Sequence, residues 1–295
     1  MIEPIFVIAR TTGGQTFESY ADYWLMVKMW GYRTCELSEI DYQNPEHVYI
    51  WASPIGDPSQ VFRHDRASVR KCKLVNWFLE WPKWVEGKLV GWEGVEDPVD
   101  EVWVSDMHLY DLARRFKPES AYKFRFLVLG GHPDFGNPNY KDREILWDFC
   151  HISYLTGMRG TKFYAMEAMG FKMAPNCWGA ERDHTLKYSR WGLNLHQNPL
   201  PCLSPQRFMI FASYGLPIIT DYCVNPEPFK VFQDAMIHFD PRNTSVSNEG
   251  LRWEAVAANY LMITGLRNFK AEVDWMVATR PLPNEIEGMQ REILE

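Results

Sequence analysis

YSRWGLNLHQNPLPCLSPQRFMIFASYGLPIITDY, residues 188–222, decides how this chain is read. The stretch divides into strand, loop, helix and strand. WGLNLH (191–196) is a short apolar run that ends on polar groups. Pro199, Pro201 and Pro205 then stop either element, because a proline has no amide hydrogen to give. Ser204-Pro205 has the form of a helix start, with serine as the cap and proline at the first helical position. Phe208, Ile210, Phe211 and Tyr214 supply the buried side of that helix, Gly215 ends it, and PIIT (217–220) opens the next strand. Polar residues crowd the loops at the ends of both strands, where an open α/β sheet binds its ligands.

The N-terminal half repeats this alternation. PIFVIA (4–9) is a short buried strand, TTGGQ (11–15) a glycine turn, and residues 16–30 an amphipathic helix, the opening of a doubly wound domain. The turn is not G-x-G-x-x-G, so dinucleotide binding is not supported. Gly13 and Gly14 let the backbone approach a ligand or a facing domain, or they form an ordinary βα turn. Strands are expected at 33–37, 47–52, 74–79, 100–105 and 124–131, with a helix at 106–116. The polar segment 57–73 carries Arg63, His64, Arg66, Arg70, Lys71 and Lys73, which read as a solvated face or as a seat for an anionic acceptor. Glu80 follows an apolar run at a strand end, where a carboxylate needs a partner, solvent or a task. HPDFGNP (132–138) is rich in breakers and reads as a hinge between domains.

In the second half, LWDFCHISYL (146–155) reads as a buried strand, followed by a glycine turn, TGMRGTK (156–162), and a helix over 163–169. Arg159 and Lys162 beside a helix N-terminus suit a diphosphate, combining free N–H groups with positive charge. Residues 172–175 and 236–239 are expected as strands, 184–188, 251–264 and 266–278 as helices, and 177–183 and 223–228 as loops. The tail 280–295 ends in a charged helix.

Composition narrows the function. A chain of 295 residues buries a substantial core and divides by default into two domains. A net charge of −7 argues against a broad nucleic-acid-binding face. The six cysteines are scattered without a C-x-x-C pair, so neither a disulfide framework nor a zinc site follows. The sequence MIEPIFVIAR has no secretory pattern, and no apolar run is long enough for a membrane span, so a cytoplasmic setting is expected. Most of the 13 tryptophans are expected in the core, with a minority free to stack on sugars or bases.

The pattern of 188–222, an lNlh strand, Pro-x-Arg-Phe on a helix, then Ala-x-x-Gly-x-Pro-Ile-Ile-Thr-Asp, resembles the donor-binding half of a GT-B glycosyltransferase. It is similar to the spore-maturation (CgeB-like) and glycosyl transferases group 1 families. The resemblance implies a GT-B architecture: two Rossmann-like doubly wound domains facing a cleft. Residues 1–138 would form the acceptor side and 139–279 the nucleotide-sugar side, with 280–295 suited to cross back to the first domain. It implies a donor, expected to be a UDP-sugar, held by Asn194, His196, Arg207, Thr220 and Asp221, with Arg159 and Lys162 near the departing diphosphate. No cofactor or metal is implied, in keeping with the lack of a D-x-D string.

One departure is plain. The two glutamates of an E-x7-E pattern would fall on Cys202 and Ile210, so their contacts must come from Asp221 or Glu227, or be absent. Glu80 and His132 are the catalytic candidates, and Arg63, Arg66 and Trp81 the acceptor-binding ones. The acceptor is expected to be a glycan, a small molecule or a hydroxymethylated DNA base of a virus. For such a flipped base the tryptophans of 77–92 would provide stacking. Two readings from other classes stand beside it, a nucleotide-sugar epimerase of the same build and a binding protein without turnover.

Overall fold

The computed structural model describes residues 2–8, 11–12, 15–16, 21–53, 62, 67, 69–79, 83–85, 88–90, 94–105, 107–127, 132, 134–136, 144–176, 180–196, 205–216, 218–220, 236–238 and 269–279. It divides into two compact units, Met1–Val128 with Asn268–Ile293, and Leu129–Arg267. The expected segments 223–228, 251–264 and 280–295 lie outside the described residues.

In the first unit the parallel strands are β1 (Glu3–Ile8), β4 (Arg33–Glu36), β5 (His47–Ser53), β6 (Lys73–Phe78), β9 (Glu101–Val104) and β10 (Phe124–Phe126). Two small antiparallel ribbons, β2 (Thr11–Thr12) with β3 (Gln15–Thr16) and β7 (Lys83–Val85) with β8 (Lys88–Val90), lie between them in the chain. The sheet runs β10-β9-β6-β5-β1-β4, every pair parallel. The chain thus starts beside the middle, steps to one edge, then returns to build the other side, and the order reverses between β1 and β5. That is the topology of a doubly wound sheet. Helix α1 (Ala21–Met29) lies between β1 and β4 in sequence, and α2 (Met107–Phe116) between β9 and β10. The helix expected from residue 16 starts later, because Gln15 and Thr16 pair back on Thr11 and Thr12.

Parallel strands covered on both faces are apolar without alternation, and β6 and β9 show it. Trp51, Trp77 and Trp103 are all fully buried, and Trp77 and Trp103 stand side by side in register. Burying an indole contributes about 4–6 kcal/mol of transfer free energy. Their polar edges are matched: Trp77 Nε1 donates to Ser105 Oγ at 3.0 Å, and Trp103 Nε1 to Glu101 Oε2 at 2.9 Å. Trp77 is therefore a core residue and not a platform for a base, which corrects the stacking role considered for it.

Glu101 is buried, and its charge is met by Lys73 Nζ at 2.7 Å and Arg125 Nη1 at 3.3 Å. Arg125 also donates to the carbonyls of Met276 and Thr279, at 2.6 and 3.3 Å, at the end of the last described helix, Phe269–Ala278. A cation at a helix C-terminus satisfies its orphan carbonyls and its dipole. At the other end of that helix, Tyr32 Oη donates to Lys270 O and Asp274 Oδ1, at 2.9 and 3.0 Å, beneath the Lys270 ammonium. This helix therefore belongs to the first unit, although the expected second domain ran to residue 279.

The second unit has β11 (Trp147–Cys150), β12 (Ser189–Asn194), β13 (Ile218–Thr220) and β14 (Met236–His238), parallel and in that order. Its helices are α3 (Gly157–Ala168), α4 (Ala180–Lys187) and α5 (Pro205–Ser213); the helix Phe269–Ala278 of the first unit is α6. The strand expected at 172–175 is a single bridge, Met173 to Phe149, on the far side of β11 from β12. Counting that bridge, the order again reverses, here between β11 and β12. The strand expected over 146–155 ends at Cys150 because the next residues turn to meet α3. Helix α4 starts at Ala180, inside the expected loop, with Glu181 and Asp183 in its first turn. The expected hinge over 132–138 is packed in part: Phe135 is buried against Tyr214, ring centroids 6.2 Å apart, and Gly136 lies against Ser213 at the end of α5.

Among the described residues no helix is long and apolar enough to cross a membrane. Cys35, Cys72 and Cys150 are buried thiols that form no disulfide, and burial pushes Cys35 and Cys72 up to about 11.

Two predictions follow from this packing. A Cβ on Gly192 would fall 2.5 Å from the Phe211 ring of α5, which is fully buried. Gly192→Ala should lower the unfolding free energy by about 1–3 kcal/mol, read from the urea midpoint at unchanged m. Burial, then the neighbouring Asp274 carboxylate, holds the Tyr32 phenol neutral well above its usual range. A raised folded pKa gives stability that is complete below the unfolded value and lost as pH climbs past it. Stability should therefore begin to fall as pH rises through about 10 and keep falling above it, and Tyr32→Phe should flatten that decline.

Candidate functional site

The C-terminal edge of the second sheet, where its order reverses, gathers most of the polar side chains expected to bind a donor. Asn194 ends β12, Thr220 ends β13, and the two are register neighbours. Asn194 Nδ2 donates to Thr220 Oγ1 at 2.9 Å, while that hydroxyl faces the carbonyl of Asn194 at 3.3 Å. The amide oxygen of Asn194 accepts from Arg207 Nη1 at 2.6 Å. Arg207 is the third residue of α5, and the same Nη1 also donates to the carbonyl of Leu195 at 3.1 Å. His196 is buried beside them, its Nε2 3.5 Å from Asn194 Nδ2.

A second arginine reaches the same carbonyl from the other side of the reversal. Arg159 Nε donates to Leu195 O at 3.0 Å, and its Nη1 donates to Ser153 Oγ and Tyr154 O at 2.6 and 2.9 Å. The guanidinium thus ties the loop after β11 to the loop after β12. The residues expected as a glycine turn are the first turns of α3, so Arg159 and Lys162 sit one helical turn apart on a helix. Gly157 enters that helix at φ +56°, a left-handed value that favours glycine. Gly160 lets the first turn lie against the Leu155 carbonyl, where a Cβ would come within 2.8 Å. Together the two glycines set α3 close enough for Arg159 to span the crevice.

The sequence reading missed His151, which follows β11 directly. It is buried, and its Nδ1 lies 2.7 Å from Leu193 O. A carbonyl only accepts, so Nδ1 carries the proton in the neutral ring. Ser153 and the Leu195 carbonyl were missed as well. A main-chain oxygen has no residue-type signature, and only the topology singles it out.

His132, expected as a catalytic group, has a local task. Its Nδ1 accepts from the Asp134 N–H at 3.1 Å, and its carbonyl accepts from the Phe135 N–H at 3.0 Å. With Nδ1 accepting, the neutral ring carries its hydrogen on Nε2, and an Asp134 carboxylate oxygen lies 3.8 Å from Nδ1. Gly13, Gly14, Arg63, Arg66, Glu80, Trp81, Asp221 and Glu227 lie outside the described residues. Ile210, at one of the two positions where a glutamate was sought, is buried on the inner side of α5.

No family model matches the chain, and no curated protein matches its sequence. Among solved structures it is similar to an α-glucosyltransferase in complex with UDP-glucose and DNA containing an abasic site, at TM-score 0.49 and 9% identity over 99% of both chains. It is also similar to the pneumococcal O-GlcNAc transferase GtfA in complex with UDP and GlcNAc, at TM-score 0.41 and 12% identity, covering 85% of this chain. A GtfA/B complex matches at TM-score 0.37 and 12% identity over 96% of this chain. The chain spans 57% of the length of that transferase and 61% of that of the complex chain.

The fork of Arg159 gives a direct test. Lysine keeps the charge but cannot reach acceptors in both loops at once. Arg159→Lys should cost about 1–3 kcal/mol of stability by chemical denaturation, with Arg159→Ala costing more.

Proposed function

We propose that the chain is a glycosyltransferase of GT-B build, holding a nucleotide-sugar on its second unit and its acceptor on the first. The observation that carries this reading is the convergence of Arg159 and Arg207 on the carbonyl of Leu195, where the sheet order reverses. Open parallel sheets bind ligands at that place. Two cationic head groups fixed there suit a ligand with two negative charges side by side, which describes a diphosphate. The resemblance of 188–222 to a donor-binding half supports the same assignment.

In the reaction an acceptor oxygen bonds to the anomeric carbon of the sugar. The bond from that carbon to the diphosphate oxygen breaks, and its electron pair leaves with the nucleoside diphosphate. The proton of the acceptor hydroxyl passes to a base. Arg159 and Arg207, with Lys162 one turn along α3, would stabilise the charge that builds on the leaving diphosphate, the role fixed cations serve best in a site that excludes water. Glu80 is the proposed base, and Arg63, Arg66 and Trp81 the proposed acceptor contacts, on sequence grounds. A UDP-sugar is the proposed donor, and a glycan, a small molecule or a hydroxymethylated DNA base the proposed acceptor. The burial of Ile210 favours one second reading, a binding protein without turnover, since no carboxylate reaches the sugar from that turn of α5.

A thermal-shift panel of UDP, GDP, ADP, TDP and CMP, alone and as sugar conjugates, tests the proposal. One diphosphate should raise the melting temperature, since a ligand at 100 times its dissociation constant adds about 2.7 kcal/mol. Arg207→Ala should abolish the shift. No shift with any nucleotide would overturn the reading. A shift without sugar transfer to glycans, small alcohols or hydroxymethylated DNA would favour the binding protein.

A further inference from the structure

Asn194 and Thr220 stand on the sequence as direct donor contacts, yet both are fully buried. Ser153, in the loop after β11, is only partly buried, and its hydroxyl is bonded by the buried Arg159. We infer that Ser153 is a direct ligand contact, its O–H turned by Arg159 toward a phosphoryl oxygen, and that Arg159 reaches the ligand through it. The inference rests on the anion-binding part of the proposed function and names a side chain that makes the contact.

A guanidinium only donates, so Arg159 Nη1 gives its hydrogen to Ser153 Oγ across 2.6 Å. A hydroxyl that accepts on one side sends its own hydrogen in another direction, away from Nη1. Among the described residues Arg159 is the one group that bonds this hydroxyl, which leaves the hydrogen to water or to a ligand. Accepting from a cation polarises the O–H bond and makes it a stronger donor, best matched by a charged acceptor. Arg159 Nε and Nη1, meanwhile, hold the Leu195 carbonyl, Ser153 and the Tyr154 carbonyl. An anion that took those hydrogens for itself would undo the ties between the loops after β11 and β12. Through Ser153 the same cation acts on the anion with every tie in place. A phosphoryl oxygen of a nucleotide and one of free pyrophosphate present the same chemistry to this hydroxyl.

The experiment titrates UDP, inorganic pyrophosphate and uridine into the full chain by calorimetry and records melting temperatures alongside. Ser153→Ala should weaken UDP and pyrophosphate at least about tenfold, the loss expected of a hydrogen bond to a charged group, and leave uridine unchanged. Ser153→Thr keeps the hydroxyl and should bind both anions like the unaltered chain. Should the alanine variant fail to fold, Ser153→Val decides, since it matches Ser153→Thr in shape and lacks the hydroxyl. It should lose the anions and keep uridine. A role confined to holding Arg159 would lower the affinity for all three ligands together with the melting temperature, and that result would overturn the inference. Equal anion affinity in Ser153→Ala and the unaltered chain, or in Ser153→Val and Ser153→Thr, would overturn it too and leave the glycosyltransferase reading standing. Pyrophosphate bound in a Ser153-dependent way with no response to any nucleotide would uphold the inference and defeat the glycosyltransferase reading. No binding of either anion would defeat both.

Discussion

A single main-chain oxygen, that of Leu195, accepts from two arginines that reach it from different helices. Arg159 comes from α3 and Arg207 from α5, and the oxygen lies just past the end of the strand both helices flank in sequence. Like charges repel, so two guanidinium groups share one acceptor only where the surrounding structure holds them. Ser153, Tyr154 and Asn194 provide that hold through further hydrogen bonds. The position of the loops after β11 and β12 therefore depends on the same contacts that give the crevice its charge.

The rest of each unit keeps its framework rigid. In the second unit Gly192 allows Phe211 to press on β12, which fixes how far Arg207 stands from the strand end. In the first unit a buried carboxylate, Glu101, is matched by Lys73 and Arg125, and Arg125 also caps α6, more than a hundred residues further along the chain. Removing one partner of such a set leaves a buried charge uncompensated, which costs far more than the set contributes as a whole. Helix α6 is thus tied to the first unit by polar contacts at both of its ends, Tyr32 at one and Arg125 at the other.

The strands and α5 were legible because proline and glycine punctuate them: Pro205 opens α5, Gly215 follows it, and apolar runs mark β1, β5, β6, β12 and β13. Asn194, His196, Arg207 and Thr220 were legible as a group, since strand ends in such sheets collect polar residues. What the residues alone hid was their division of labour. The burial of Asn194 and Thr220 depends on the register of β12 with β13, and register is a property of the pairing. TGMRGTK read as a turn because its glycines weaken a helix locally, whereas packing against Leu155 favours helix there. Arg125 and Tyr32 gave no signal at all, because their partners are supplied by α6 from the far end of the sequence. His132 was singled out by residue type, and its bond to the Asp134 amide comes from the fold of that loop and has no signature in the residues.

The most direct measurement of the central claim is NMR of the Arg Nε–H signals in the ¹⁵N-labelled chain at low salt. Arg159→Lys and Arg207→Lys variants would assign the two resonances. Addition of UDP should shift both together while uridine leaves them in place, because a diphosphate would meet two guanidinium groups held on one carbonyl. Signals that ignore UDP, or that move equally with uridine, would contradict the account and return Arg159 and Arg207 to the role of loop fasteners.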